Sequence, residues 1–148
     1  DMNMFLGLEE SDYDGITGFD NNLTPDGDTE AIGWNNDCNG GSTFQSASSN
    51  AGSPGTVTTS TTGLTALIDN YTVTLAMYYD GTRANGVHFY QDSTQYDSNA
   101  SAPTYRHTIA ESNLPDAATK LRPKFLITSE AGLFATAAIT CYRYAQLL

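Results

Sequence analysis

Positive charge is the first thing this sequence lacks. Six Lys and Arg stand against 17 Asp and Glu, a formal charge of −11, and residues 1–82 hold 12 acids and no base. A protein that neutralises phosphates needs a surplus of cations, so nucleic acid is excluded as a partner. Cysteine is nearly absent as well. Cys38 and Cys141 are too few for a disulfide scaffold and lack metal-ligand spacing. Paired, they would close a loop of roughly 100 residues and contribute about 4–5 kcal/mol on the chain-entropy account; unpaired, they are two ordinary buried thiols. No stretch approaches the roughly 18 uninterrupted apolar residues of a membrane helix, and the apolar segment 131–142 carries two Thr. The chain therefore reads as soluble, with no membrane partner. A basic secretory n-region is missing too, and the first residue is Asp1 rather than Met, as expected of a chain cleaved or trimmed from a longer product. Helical periodicity is the last absence. Only 115–120, with Pro115 in a permitted first-turn position, suggests a helix, and it lasts little more than a turn.

What the sequence does hold is uncharged polarity and aromatic bulk: 20 Thr, 12 Ser, 11 Asn, 13 Gly, nine Tyr, six Phe and one Trp in 148 residues. That length suits one domain around one core, here residues 1–148, and aromatic rings supply large buried areas per side chain. Strand patterns dominate. Tyr71, Val73, Leu75, Met77 and Tyr79 alternate with Thr72, Thr74, Ala76 and Tyr78, a period of two that requires one buried face. Asp80-Gly81 then offers a turn able to take positive φ, and Val87-His88-Phe89-Tyr90 resumes the extended pattern, so 70–91 is expected to form a hairpin with its loop at 80–86. Further strands are expected at 4–8, 30–35, 56–61, 104–109, 124–128 and 137–144, separated by clusters of Gly, Pro, Asn and Asp. Residues 39–63 approach low complexity and read as either an exposed loop or an edge hairpin with Thr facing water on one side, the hairpin being the favoured reading for 56–61. Many short strands without a long helix point to an all-β antiparallel sandwich or barrel.

Several residue groups could carry chemistry, and each has a plainer alternative. The acids Asp12, Asp14, Asp20, Asp26, Asp28 and Glu30 are spaced closely enough to offer calcium its oxygen ligands, with Asp26 and Asp28 the best placed; the spacing is not that of an EF-hand, and solvated turn residues explain it equally well. A glycosidase would need paired carboxylates. Glu10-Ser11-Asp12 begins a Glu-x-Asp-x-x-Glu pattern, but Gly15 stands where the last acid should be. His88 and His107 are the only imidazoles, with no nucleophile elbow or Cys/His signature to accompany them, and are expected at the surface or rim. Trp34, followed by Asn35, Asn36 and Asp37, has the composition of a sugar-binding site, although a lone Trp on a strand is more often core. The three glycosylation-type sequences at Asn22, Asn70 and Asn99 are expected by accident in so much Asn, Ser and Thr.

Four segments in order carry a likeness: MFLGLEESDYDGI near the start, AIGW, the hairpin TVTLAMYYDGTRANGVHFYQD, and the closing NLPDAATKLRPKFLITSEAGLFATAAITCYRYAQLL. Together they resemble the concanavalin/LamG-like jelly-roll domain of tailed-bacteriophage virion proteins, which has a Phe-x-Gly-Leu type strand before an acidic loop, a Gly-Trp strand, a strand entering a Tyr-Asp-Gly turn, and a final Leu-x-Pro-x-Phe strand. The resemblance implies a jelly-roll β-sandwich and a non-enzymatic structural role on the capsid exterior, as a decoration or surface-fibre subunit bound to the major capsid protein and to copies of itself. Pro123 fits such a fold only at a sheet edge or strand start. The family places further strands before its Phe-x-Gly-Leu strand, whereas this chain begins almost at Phe5. Upstream sequence or a neighbouring chain is thus expected to complete the sandwich by strand addition. The alternative is a lectin-like module for host glycans, with Trp34 and the Asn/Asp groups as its site and calcium as its cofactor.

Overall fold

The computed structural model describes residues 2–10, 29–36, 44–50, 56–60, 71–95 and 104–129. They form eight strands: β1 (Met2–Glu10), β2 (Ala31–Asn36), β3 (Phe44–Asn50), β4 (Thr56–Ser60), β5 (Tyr71–Tyr78), β6 (Val87–Gln95), β7 (Thr104–Ile109) and β8 (Leu121–Ser129). All described pairings are antiparallel, in a five-stranded sheet of order β4-β3-β2-β1-β8 and a three-stranded sheet of order β5-β6-β7. The architecture is all-β, with two sheets consistent with a β-sandwich.

The shared core shows which faces meet. Ile32 and Trp34 of β2 and Phe44 of β3 cluster with Val87 and Phe89 of β6, Ile109 of β7 and Leu114; Met4, Leu8, Val73, Leu75, Met77 and Leu121 pack against them. Because side chains alternate along a strand, Val73, Leu75 and Met77 on the core side leave Thr74, Ala76 and Tyr78 on the other face of β5. Trp34 lies at the centre. It meets Phe89 edge to face with ring centroids 5.1 Å apart, and its Nε1–H donates to the Ala76 carbonyl of β5 at 3.3 Å, tying the two sheets by a polar bond as well as by contact.

The second face of the five-stranded sheet is buried at its centre too. Phe5, Glu9, Ala31, Asn35, Ala47 and Ser49 are all completely buried. Gly7 and Gly33 stand opposite each other in the β1–β2 ladder, and the Phe5 ring tip lies where a side chain on either glycine would begin: a Cβ on Gly7 would come within 2.9 Å of Phe5 Cζ, and one on Gly33 within 2.8 Å. Two facing glycines thus form a floor that lets an aromatic ring lie across two strands.

Most strand expectations agree with the structure. The hairpin forms as read, with Gly81 at φ 87° and Gly86 at φ 72° supplying the left-handed turns. Residues 56–60 of the strand expected at 56–61 form β4, the outermost described strand beside β3, and Pro123 sits in β8, at the opposite end of the described sheet order. Two expectations change. No helix forms at 115–120; instead one 3₁₀ turn occupies Glu111–Asn113, and Thr119 N–H closes a single turn onto the Asp116 carbonyl at 3.0 Å. Residues 44–50, within the stretch read as either an exposed loop or an edge hairpin, pair with β4 as the hairpin alternative has it, but as a buried inner strand rather than an exposed one. The expected strand 137–144, Cys38 and Cys141 lie outside the described residues.

Candidate functional site

Of the site residues singled out from the sequence, Trp34, Asn35 and Asn36 lie among the described residues. Trp34 is 1% exposed, so its faces are spent on the core and none is open for a saccharide ring. Asn35 and Asn36 are buried beside it in β2, while Asp37, Asp26 and Asp28 lie outside the described residues. Among the described residues no three His, Cys, Asp or Glu converge as a metal site. Glu10 uses its backbone N–H to bind the Glu30 carbonyl at 2.9 Å, and the buried Glu30 carboxylate accepts the Asp116 backbone N–H at 3.0 Å. Both acids therefore sit in a junction between β1, the start of β2 and the loop before β8.

A buried ion pair lies on the second face of the five-stranded sheet. Glu9, wholly buried on β1, has Lys124 Nζ of β8 2.7 Å from its Oε2, and Arg122, its register partner, reaches Oε1 at 3.9 Å. Lys124 is only 13% exposed, so this is a desolvated pair whose worth lies in mutual neutralisation. Lys124 stands opposite Gly7 in the ladder, two positions along from the Glu9–Arg122 pair.

The most open chemistry is on the outer face and tip of the β5–β6 hairpin. Tyr78 and Tyr79 are 46% and 47% exposed, the most exposed large apolar side chains among the described residues. Register aligns Tyr78, His88 and Thr108 in one row across β5, β6 and β7. Tyr78 stacks on the His88 ring at 6.4 Å with the planes 23° apart, and His88 Nδ1 is held 2.8 Å from the Thr108 hydroxyl. One row along, small Ala76 stands opposite Tyr90. His88 thus takes the rim position expected of it. His107, opposite Phe89, is half-buried, and burial pushes its pKa down by disfavouring the imidazolium.

The tip beneath this face is rigid for identifiable reasons. Asp80 Oδ1 accepts the Thr82 N–H at 2.7 Å and Oδ2 accepts the Asn85 side-chain amide at 2.6 Å; these bonds to the ionised form hold the Asp80 pKa below its usual 3.8. Arg83, in the 3₁₀ turn Arg83–Asn85, donates to the Pro115 carbonyl at 2.6 Å and the Leu114 carbonyl at 3.1 Å, with Glu111 at 3.9 Å. The hairpin tip is thereby clamped to the 3₁₀ turn that follows β7. The sequence signal for the face was available: Tyr78 is a large ring in the polar phase of an otherwise regular alternation.

Comparison with protein-family models, with curated proteins and with solved structures finds no match to this chain.

Proposed function

We propose that the chain is a non-enzymatic structural protein of a tailed-bacteriophage virion, a jelly-roll domain serving as a capsid decoration or surface-fibre subunit. The observation that carries the reading is spatial. Three of the segments that resemble the family, FLGLE, AIGW and LRPKFLIT, lie far apart in the chain, from Phe5–Glu9 to Leu121–Thr128, yet they are the adjacent strands β2, β1 and β8 of one sheet. They are joined by physical contacts that use the resemblance residues themselves: Gly7 against Gly33 beneath Phe5, and Glu9 against Lys124. The fourth segment is the hairpin of the facing sheet. Short motifs that recur by accident have no reason to become neighbours around one aromatic ring. The partners on this reading are the major capsid protein and further copies of the chain, and the place is the capsid exterior.

Cosedimentation tests it. Purified full-length chain is mixed with capsids of the phage whose genome encodes it, prepared without the chain, and centrifuged. A pelleted fraction that saturates at a fixed ratio to the major capsid protein is expected. Chain that stays in the supernatant at every input, or pellets without saturating, overturns the proposal.

A further inference from the structure

The cover that the three-stranded sheet gives to the five-stranded one runs out along β1 and β8, and the register shows where. Trp34, Leu6 and Phe125 stand side by side across β2, β1 and β8, on the face that carries the shared core. Exposure climbs along that row, from 1% at Trp34 through half-buried Leu6 to 37% at Phe125. The neighbouring row repeats it, with Ile32 buried, Leu8 half-buried and Pro123 exposed. On the other side of Leu6 and Phe125, the register partners Met4 and Ile127 are both half-buried. Met4 and Leu8 still pack against the core cluster, whereas Leu6, Phe125 and Ile127 extend the same apolar face past it. Phe125 is also the one exposed large apolar side chain among the described residues that lacks a hydroxyl. An apolar strip of this kind on an otherwise polar chain marks a contact surface.

Charge and size indicate what covers it. In this phase β1 and β8 present a single charged residue, Glu10, at one end of the strip opposite Leu121. The β8 cations alternate onto the other face, where Arg122 and Lys124 meet Glu9. The strip therefore holds no cation to select an acidic partner, and its centre holds no acid to select a basic one. Two copies of a chain of charge −11 repel each other, so they can meet only where no carboxylate is pressed against another, and the strip meets that condition. Six partly covered apolar side chains offer on the order of 300 Å². A stable pair buries roughly 800 Å² per partner, polar rim included, so the strip suits the apolar centre of a dimer at the weak end of that range. A two-fold contact sets one patch against itself, neutral against neutral. From this geometry we infer that the β1–β8 strip centred on Leu6 and Phe125 is the docking surface for a second copy of this chain, in a two-fold dimer with both Phe125 rings near the axis. The inference gives a place to the copy-to-copy contact of the virion proposal without resting on it, since the strip is read from exposure and charge and its test uses no capsids.

Sedimentation equilibrium of the full chain from about 5 to 500 μM tests it. A monomer–dimer equilibrium with a dissociation constant of about 10–100 μM is expected in 150 mM NaCl, and one about threefold weaker in 20 mM NaCl, where repulsion between the chains is less screened. Phe125→Glu and Pro123→Glu, both at exposed positions, should each weaken the dimer about tenfold or more with the urea midpoint unchanged, and Tyr79→Ser should leave the dimer as it is. A chain that stays monomeric to 500 μM, a dimer that survives both strip variants, association that weakens as salt rises, or growth past the dimer would each overturn the inference. Should a strip variant unfold, the unaltered chain decides: amide shifts that follow its concentration must map to residues 4–8 and 121–127, and shifts confined to other residues overturn the assignment. A monomeric chain that still cosediments with capsids would sink this inference and leave the virion reading standing.

Discussion

Glycine placement decides how tightly β1 and β2 can pack, and the glycines of this chain divide by mechanism. Gly33 has ordinary extended backbone, but a Cβ there would lie 2.6 Å from the Leu6 carbonyl oxygen and 2.7 Å from Gly7 Cα, both backbone atoms that cannot turn aside. Gly81 is the reverse case, with nothing within 4 Å and φ at 87°. Gly33→Ala should therefore destabilise by about 1–3 kcal/mol through overpacking, and by more than Gly81→Ala, which meets only the left-handed penalty of about 1 kcal/mol. Urea unfolding of the two variants checks the order, and equal losses would count against the facing-glycine floor. At this scale the sequence is partly silent. Gly7 and Gly33 stand in unremarkable strand patterns, and only their register, which local sequence does not reveal, makes them face each other under Phe5. Trp34 likewise carries the composition of a sugar site, yet burial in β2 commits it to the core.

Between elements, the legible and illegible parts separate by how burial is achieved. The β5–β6 hairpin could be read because Val73, Leu75 and Met77 alternate without interruption and Asp80-Gly81 ends the run. β3 could not, because FQSASSN is buried on both faces by small polar residues, so no apolar alternation survives to announce it. The link between β1 and β8 is equally hidden: Glu9 and Lys124 are 115 positions apart in sequence and meet at 2.7 Å. Removing one member should leave the other desolvated, so Glu9→Gln or Lys124→Met is expected to cost about 3 kcal/mol, whereas Glu9→Met combined with Lys124→Met should recover most of the loss. A double variant no more stable than the singles would show that the pair is not coupled. The hairpin tip adds a pH response. The Asp80 pKa is lowered in the folded chain by the Asn85 and Thr82 bonds; its contribution is therefore present above the ordinary value of 3.8 and is lost as pH falls through the lower folded value. Carbon-detected titration should find the Asp80 carboxyl below 3.8, moving back up in Asn85→Ala; an unmoved value would show that the amide bond does not set it.

For the whole molecule, charge is the dominant unbalanced quantity. Net charge of −11 opposes compaction, and the imbalance is concentrated before residue 83, where no cation is available in sequence. The fold answers part of it by distance rather than by composition. β8 carries Arg122 and Lys124 back against β1, and Arg83 is drawn to the carbonyls of Leu114 and Pro115 and to Glu111. Among the described residues, the cations seen to reach an acid of the N-terminal half are those of β8, on Glu9. Repulsion between exposed charges is screened within about 10 Å at 0.1 M salt, whereas the buried Glu9–Lys124 pair is screened far less. Raising NaCl from about 10 to 150 mM should thus raise the melting temperature, by weakening repulsion while sparing the buried Glu9–Lys124 attraction. Lys124→Met should show the larger salt increment, because it adds to the excess of negative charge and leaves Glu9 dependent on Arg122. Scanning calorimetry at matched pH measures both. A melting temperature that falls with salt would mean that exposed ion pairs outweigh self-repulsion, and that the acidic half is neutralised by contacts rather than tolerated.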